Sequence, residues 1–210
     1  MTRSLLAPCL MAVLALTGCF GRQASPKPEA ADGTVEAVTA DRPQALRRIA
    51  VLPILNRTDE AEAPVRVASE LGRQLAGIKD LKIVAPEEAR KKLAPMYETG
   101  MIGRFVTDLD EDRRTSADLA RLVGAGLGVD GVLVATVTLY QQFTDRFPDG
   151  NPGEAATTIV AVQGAVVDTL TGRTAWSNAV LERVRGGRDY PPYDRTVESA
   201  VRNLLATWPR

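Results

Sequence analysis

The chain has 210 residues, with 26 Lys and Arg balanced by 26 Asp and Glu, two cysteines and no histidine. Such a balance argues against nucleic acid, whose binding rests on clustered cations that neutralise phosphates. Without histidine the chain lacks the usual neutral-pH base, the commonest metal ligand and any Ser-His or Cys-His pair, so no catalytic residue, cofactor or metal is expected.

Residues 1–18 have the layout of a secretory signal. Arg3 is a short positive start, Leu5 to Leu16 form an apolar core, and small residues precede a cut. The core is shorter than the roughly 20 apolar residues that a membrane-crossing helix needs. Leu16-Thr17-Gly18-Cys19 has the spacing of a bacterial lipobox, which predicts cleavage between Gly18 and Cys19 and lipid on the Cys19 thiol. Each buried methylene of a lipid chain contributes about 0.8 kcal/mol, and two or more chains anchor stably. Phe20 follows the anchor where an Asp would favour the inner membrane, which tilts the expectation to the periplasmic face of the outer membrane. Cleavage removes Cys9 and Arg3, so the mature chain has no disulfide and carries one more acid than base.

From residue 19 to 46 the sequence is rich in Ala, Pro, Glu and Thr and nearly free of large apolar residues. It cannot bury enough surface to offset its ordering entropy, and is expected to be a disordered tether. Fully stretched, such a segment reaches on the order of 85–95 Å. Residues 47–210 are expected to form the periplasmic domain.

Ile49 to Leu55 is a continuous apolar run, the mark of a strand buried on both faces, interrupted at Pro53. Asn56 to Asp59 reads as a loop. Val65, Ala68, Leu71, Leu75 and Ile78 recur at helical spacing, and Leu81 to Val84 reads as a second strand. Pro86 followed by Glu87 and Glu88 fits the first turn of a short helix. Residues 95–112 read as irregular, ending in the acids Asp108, Asp110, Glu111 and Asp112.

Thr115 with Asp118 suggests a capping box, and Leu119, Leu122 and Val123 a helical face that stops at Gly124, Gly126 and Gly128. A strand rich in Val and Thr follows from Val129 to about Tyr140. Residues 144–154 read as a Pro/Gly surface loop. Strands at about 157–168 and 174–185 flank Leu170-Thr171-Gly172-Arg173 as a hairpin. Val197, Ala200, Val201, Leu204, Leu205 and Trp208 trace a helical stripe capped by Asp194. The fold class is therefore α/β (α+β), a mixed sheet of about five strands with about four packed helices.

The Ile49-Ala50-Val51-Leu52-Pro53 strand running into Asn56, the Leu81-Lys82-Ile83-Val84 strand, Val129-Asp130-Gly131-Val132-Leu133-Val134 and Val167-Asp168-Thr169-Leu170-Thr171-Gly172-Arg173-Thr174-Ala175-Trp176-Ser177 carry a resemblance. Over roughly residues 47–208 the chain resembles the envelope lipoproteins with a TolB amino-terminal-like α/β domain. That group includes the secretion channel CsgG and the penicillin-binding-protein activator LpoB. The resemblance implies a non-enzymatic domain that binds another envelope protein, such as a peptidoglycan synthase or an assembly complex, or else a self-assembling homo-oligomeric ring. A CsgG-type pore also has long amphipathic segments. Here residues 95–112 and 144–154 are short, with no strand of about 9–11 alternating residues, which counts against a pore.

Other motifs carry less. Gly124-Ala125-Gly126-Leu127-Gly128 ends a helix and enters a strand, the reverse of a dinucleotide loop. Asp108, Asp110 and Asp112 alternate as calcium ligands do, but Arg113 and Leu119 occupy the places of the required Gly and Glu. Paired carboxylates of a cell-wall hydrolase meet only in a fold, and spacing does not reveal them. Tyr140, Phe143, Phe147, Tyr190 and Tyr193 lie beside loop prolines and are the candidate partner-binding residues. Trp176 and Trp208 are expected in the core.

Overall fold

A computed structural model describes residues 46–112, 114–146, 154–186 and 189–209. The signal, Cys19 and the tether as far as residue 45 lie outside the described residues, as does Phe147. Six strands and six helices follow one another as β1 (Arg48–Val51), β2 (Leu55–Asn56), α1 (Ala63–Ala76), β3 (Lys82–Val84), α2 (Pro86–Lys92), α3 (Ala94–Glu98), α4 (Met101–Asp112), α5 (Ala117–Leu127), β4 (Gly131–Arg146), β5 (Glu154–Asp168), β6 (Thr174–Arg185) and α6 (Tyr193–Leu205).

The strands make one mixed sheet in the order β3-β1-β4-β5-β6, with β2 also on β4. β1 runs parallel to β3 (Ile49 beside Ile83) and to β4 (Ala50 beside Val132), whereas β4, β5 and β6 are antiparallel. The continuous apolar run of β1 is explained by its place. Ile49 and Val51 face one helical layer, Ala50 and Leu52 the other, and all four are at most 1% exposed. On the first side α1 and α6 contribute Val67, Leu71, Leu75, Val197, Val201 and Leu204. On the second, Ala89, Leu93, Phe105, Leu109, Val123 and Leu127 come from the α2–α5 region.

Several elements differ from their sequence-based expectation. Residues 95–112 are largely helical: α3 and α4 span most of them, and α4 buries Ile102, Phe105 and Leu109 at a three- and four-residue rhythm. The acids at the end of α4 hid it, since they oppose the helix dipole there. In α1 the buried stripe is Ala63, Val67, Leu71 and Leu75, while Val65 is 69% exposed and Ile78 lies beyond the helix end. α5 is capped by Ser116, whose Oγ accepts from the Leu119 N–H at 3.2 Å, and not by Thr115, whose hydroxyl donates to Asp108. Its buried side is Ala120, Val123, Gly124 and Leu127, with Leu122 turned outward.

α5 passes Gly124 and Gly126 and stops at the third of the glycines expected to end it. It runs on to Leu127 and ends at Gly128, whose φ of +66° is the left-handed cap that glycine adopts without strain. Gly124 is there for space: a Cβ would lie 2.4 Å from the Cβ of Thr169. β4 and β5 are 16 and 15 residues long, so the expected 144–154 loop is strand at 144–146 and at 154. Polar residues such as Gln141, Gln142 and Thr144 pair across to Ile159, Thr158 and Ala156, which the hydropathy pattern concealed. Trp176 and Trp208 are both buried and pack at 4.9 Å, with Trp176 Nε1 donating to the Thr207 carbonyl.

Candidate protein-binding site

The site forms where β4, β5 and β6 outrun the rest of the sheet. β2 ends its pairing at Asn56 beside Val137, and the β4–β5 register shifts by one residue between Val137 and Leu139. A bulge turns the following side chains over to the other face. It carries Tyr140 to the α1/α6 side, where the residue is 3% exposed, and leaves Phe143 on the opposite face.

Tyr140 stacks on Tyr193, the first residue of α6, with ring centroids 4.0 Å apart and planes at 10°. Burial pushes the Tyr140 hydroxyl up to about 12, opposed by the nearby Arg66 cation, and burial also raises Tyr193. The Tyr140 hydroxyl has no hydrogen-bond partner among the described residues. Beside the stack, Arg66 of α1 pairs with Glu62 at 2.8 Å and with Asp194 of α6, and these two carboxylates raise its guanidinium further above its ordinary value. Asp194 was expected as the α6 cap. The cap position is Pro192, and the carboxylate of Asp194, in the first turn, instead joins α6 to α1.

The loop before α6 is tied to the sheet at Pro191. The carbonyl of Pro191 accepts from Thr158 Oγ1 at 2.7 Å and from Gln142 Nε2 at 3.1 Å, and Gln142 also donates to Thr158. Tyr190 precedes this tie and is 44% exposed. On the opposite face the Arg183 guanidinium lies over the Phe143 ring, 5.5 Å from its centroid. The five aromatic candidates thus divide. Tyr140 and Tyr193 form an internal stack, Tyr190 stands on the loop, Phe143 is half-buried across the sheet, and Phe147 lies outside the described residues. Sequence reasoning missed Arg66, Gln142 and Thr158. Each is a polar residue inside an ordinary helix or strand, and nothing local marks it.

Chemistry elsewhere is sparse. Asp108 sits on α4 rather than in an acidic loop, and among the described residues no three acidic, His or Cys side chains gather as metal ligands. A groove between α4 and the sheet, lined by Leu55, Val106, Leu109, Val134 and Gln163, has a volume of about 50 Å³. That is room for a few water molecules rather than an organic substrate. No described helix is long and apolar enough to cross a membrane.

No protein-family model matches the chain, and no curated protein matches it in sequence. Solved structures do. The protein CT253 of Chlamydia trachomatis is similar with a TM-score of 0.50 at 13% identity, over 77% of this chain and 95% of that one. Lipoprotein GNA1162 of Neisseria meningitidis has a TM-score of 0.49 at 19% identity, over 76% and 97%. The LpoB C-terminal domain of Salmonella enterica has a TM-score of 0.40 at 17% identity, over 64% and 81%. At these identities likeness speaks for fold alone, and the fold that this chain shares with CT253 is the mixed sheet between helices described above.

Proposed function

We propose that this chain is a lipid-anchored envelope lipoprotein without catalytic activity, held at the outer membrane through Cys19, whose α/β domain binds another envelope protein. The anchor rests on Leu16-Thr17-Gly18-Cys19 and the tether rests on composition. The observation that carries binding is the pinned loop: Tyr190 is 44% exposed one residue before Pro191, whose carbonyl takes hydrogen bonds from both Gln142 and Thr158. An aromatic side chain on a backbone already ordered loses little entropy on docking, which is what an interface anchor requires. Phe143, under Arg183, offers a second aromatic on the same end. The resemblance to LpoB-like lipoproteins fits this reading.

The test is a photo-activatable residue in place of Tyr190 in the full-length chain, irradiated in intact cells. A discrete adduct with one other envelope protein is expected. Absence of any adduct from position 190 and from position 143, in cells where the chain is membrane-bound, overturns the binding site. Cys19→Ser tests the anchor separately: the domain is expected in the soluble fraction, and a variant that stays with the membrane contradicts lipidation.

A further inference from the structure

β6 is 12 residues long and lies at the end of the sheet. It pairs with β5, and among the described residues no strand lies along its other side. Edges of this kind are normally shortened, bulged or broken by proline, because their unpaired backbone is a template for another strand. This one has no proline, and its register with β5 is regular from Trp176 to Arg185. α6 covers one face, where Asn178 donates to the Leu204 carbonyl and Glu182 accepts from Ser199 and Asn203. Alternation puts Ser177, Ala179, Leu181, Arg183 and Arg185 on the other face, and Leu181 is 55% exposed. The Ala179 N–H is turned to its own edge, where it donates to the Asn178 side chain at 2.9 Å.

We propose that this edge pairs with the same edge of a second copy of the chain, antiparallel about a two-fold axis at Val180. The surface is its own complement, as a two-fold contact demands. With the axis at Val180 the regular stretch of the strand is centred on the contact, Ser177 to Arg183 of one copy lying along Arg183 to Ser177 of the other. Arg183 then faces Ser177 and Arg185 lies toward the bulge at Ala175, so no arginine opposes another. Moving the axis to Arg183 or Val184 sets arginine against arginine, a destabilising cross-strand pair. Ala179 faces Leu181 in an outward-bonding pair, and the Ala179 N–H exchanges the Asn178 side chain for a backbone carbonyl of the second copy. The two Leu181 side chains become diagonal neighbours at about 7–8 Å, which covers the exposed leucine. This contact is independent of the Tyr190 loop.

Register is tested in cells that express two differently tagged full-length chains, one with Ala179→Cys and one with Leu181→Cys. Oxidation is expected to join the two tags, with little product when both chains carry Leu181→Cys, because that pair is too far apart for a disulfide. Strength is tested by sedimentation of the detergent-solubilised full chain. Ser177→Glu, opposite Arg183, is expected to tighten dimerisation and Ser177→Lys to weaken it. With two such pairs per dimer each change is roughly 2- to 30-fold in dissociation constant. Arg183→Glu combined with Ser177→Lys is expected to restore the dimer, which separates charge from misfolding. A monomer at every concentration, equal shifts for both charges, or capture of a different protein by the cysteines overturns the proposal.

Discussion

The two ends of the β4–β5–β6 sheet are built on opposite principles. At one end, short polar side chains grip the backbone. Asp130 Oδ2 accepts from the N–H groups of Arg47 and Arg48, Thr169 Oγ1 donates to the Val129 and Asp130 carbonyls, and Gly124 of α5 lies so close to Thr169 that no side chain fits. At the other end the sheet extends past β2, a bulge reverses its faces, and one tyrosine hydroxyl is buried with no hydrogen-bond partner among the described residues. Order there comes from a ring stack, the Arg66–Asp194 ion pair and a doubly accepting carbonyl. The first end fixes the fold. The second leaves aromatic surface accessible, and this is where a partner is proposed to dock.

The contrast can be broken most forcefully at the tight end. Gly124→Val drives a branched side chain into Thr169, and overpacking of this kind costs about 3 kcal/mol, read as a lower urea midpoint. A loss below about 1 kcal/mol would show that α5 can move away. Asp130→Ala strips two backbone donors of their acceptor and is expected to cost about 1–2 kcal/mol in the same assay. At the open end, Tyr140→Phe removes a hydroxyl that makes no bond, so its effect stays within about 1 kcal/mol and can be favourable.

The same variant sharpens the comparison through pH. Tyr140 is held near 12 in the folded chain against 10.0 for an ordinary tyrosine, so the unfolded chain releases this proton first. The stability linked to Tyr140 is complete below pH 10 and falls as pH rises from 10 to 12. In alkaline absorbance titration the folded chain should show a late tyrosine that Tyr140→Phe abolishes. The smallest effect is expected from Tyr190→Ala, within about 0.5 kcal/mol, because the residue is exposed, while the partner adduct is lost.

Much of the fold was legible because it follows from local periodicity. The β1 run, the helical start at Pro86, the turn at Leu170 to Arg173 and the α6 stripe each declare themselves within a dozen residues. Asp168 completes that turn by accepting from the N–H groups of Leu170 and Thr171. α4 was not legible, since its terminal acids, Gly100 just before it and Gly103 inside it argue locally against a helix. Burial of Phe105 against the sheet outweighs both. Val65 and Leu122 were misplaced for a related reason. An apolar residue on a helix can face water, and small residues such as Ala63 and Gly124 can form the buried side.

The aromatic residues of the candidate site could be picked out by composition, but their division could not. Tyr140 and Phe143 are three residues apart on one strand, so alternation parts them, and only the bulge ahead of both decides which face each takes. Tyr140 meets Tyr193 across 53 positions of chain, brought together by the α6–β5 packing that ends the fold. By itself, the sequence determined what short-range periodicity and composition dictate: the strands, most helices, the proposed lipid anchor and the lack of histidine chemistry. Tertiary structure decided which glycine is a spacer, which acid is an ion-pair partner and which tyrosine is exposed. Those outcomes depend on distances between residues far apart in sequence, and such distances exist only once the layers have packed.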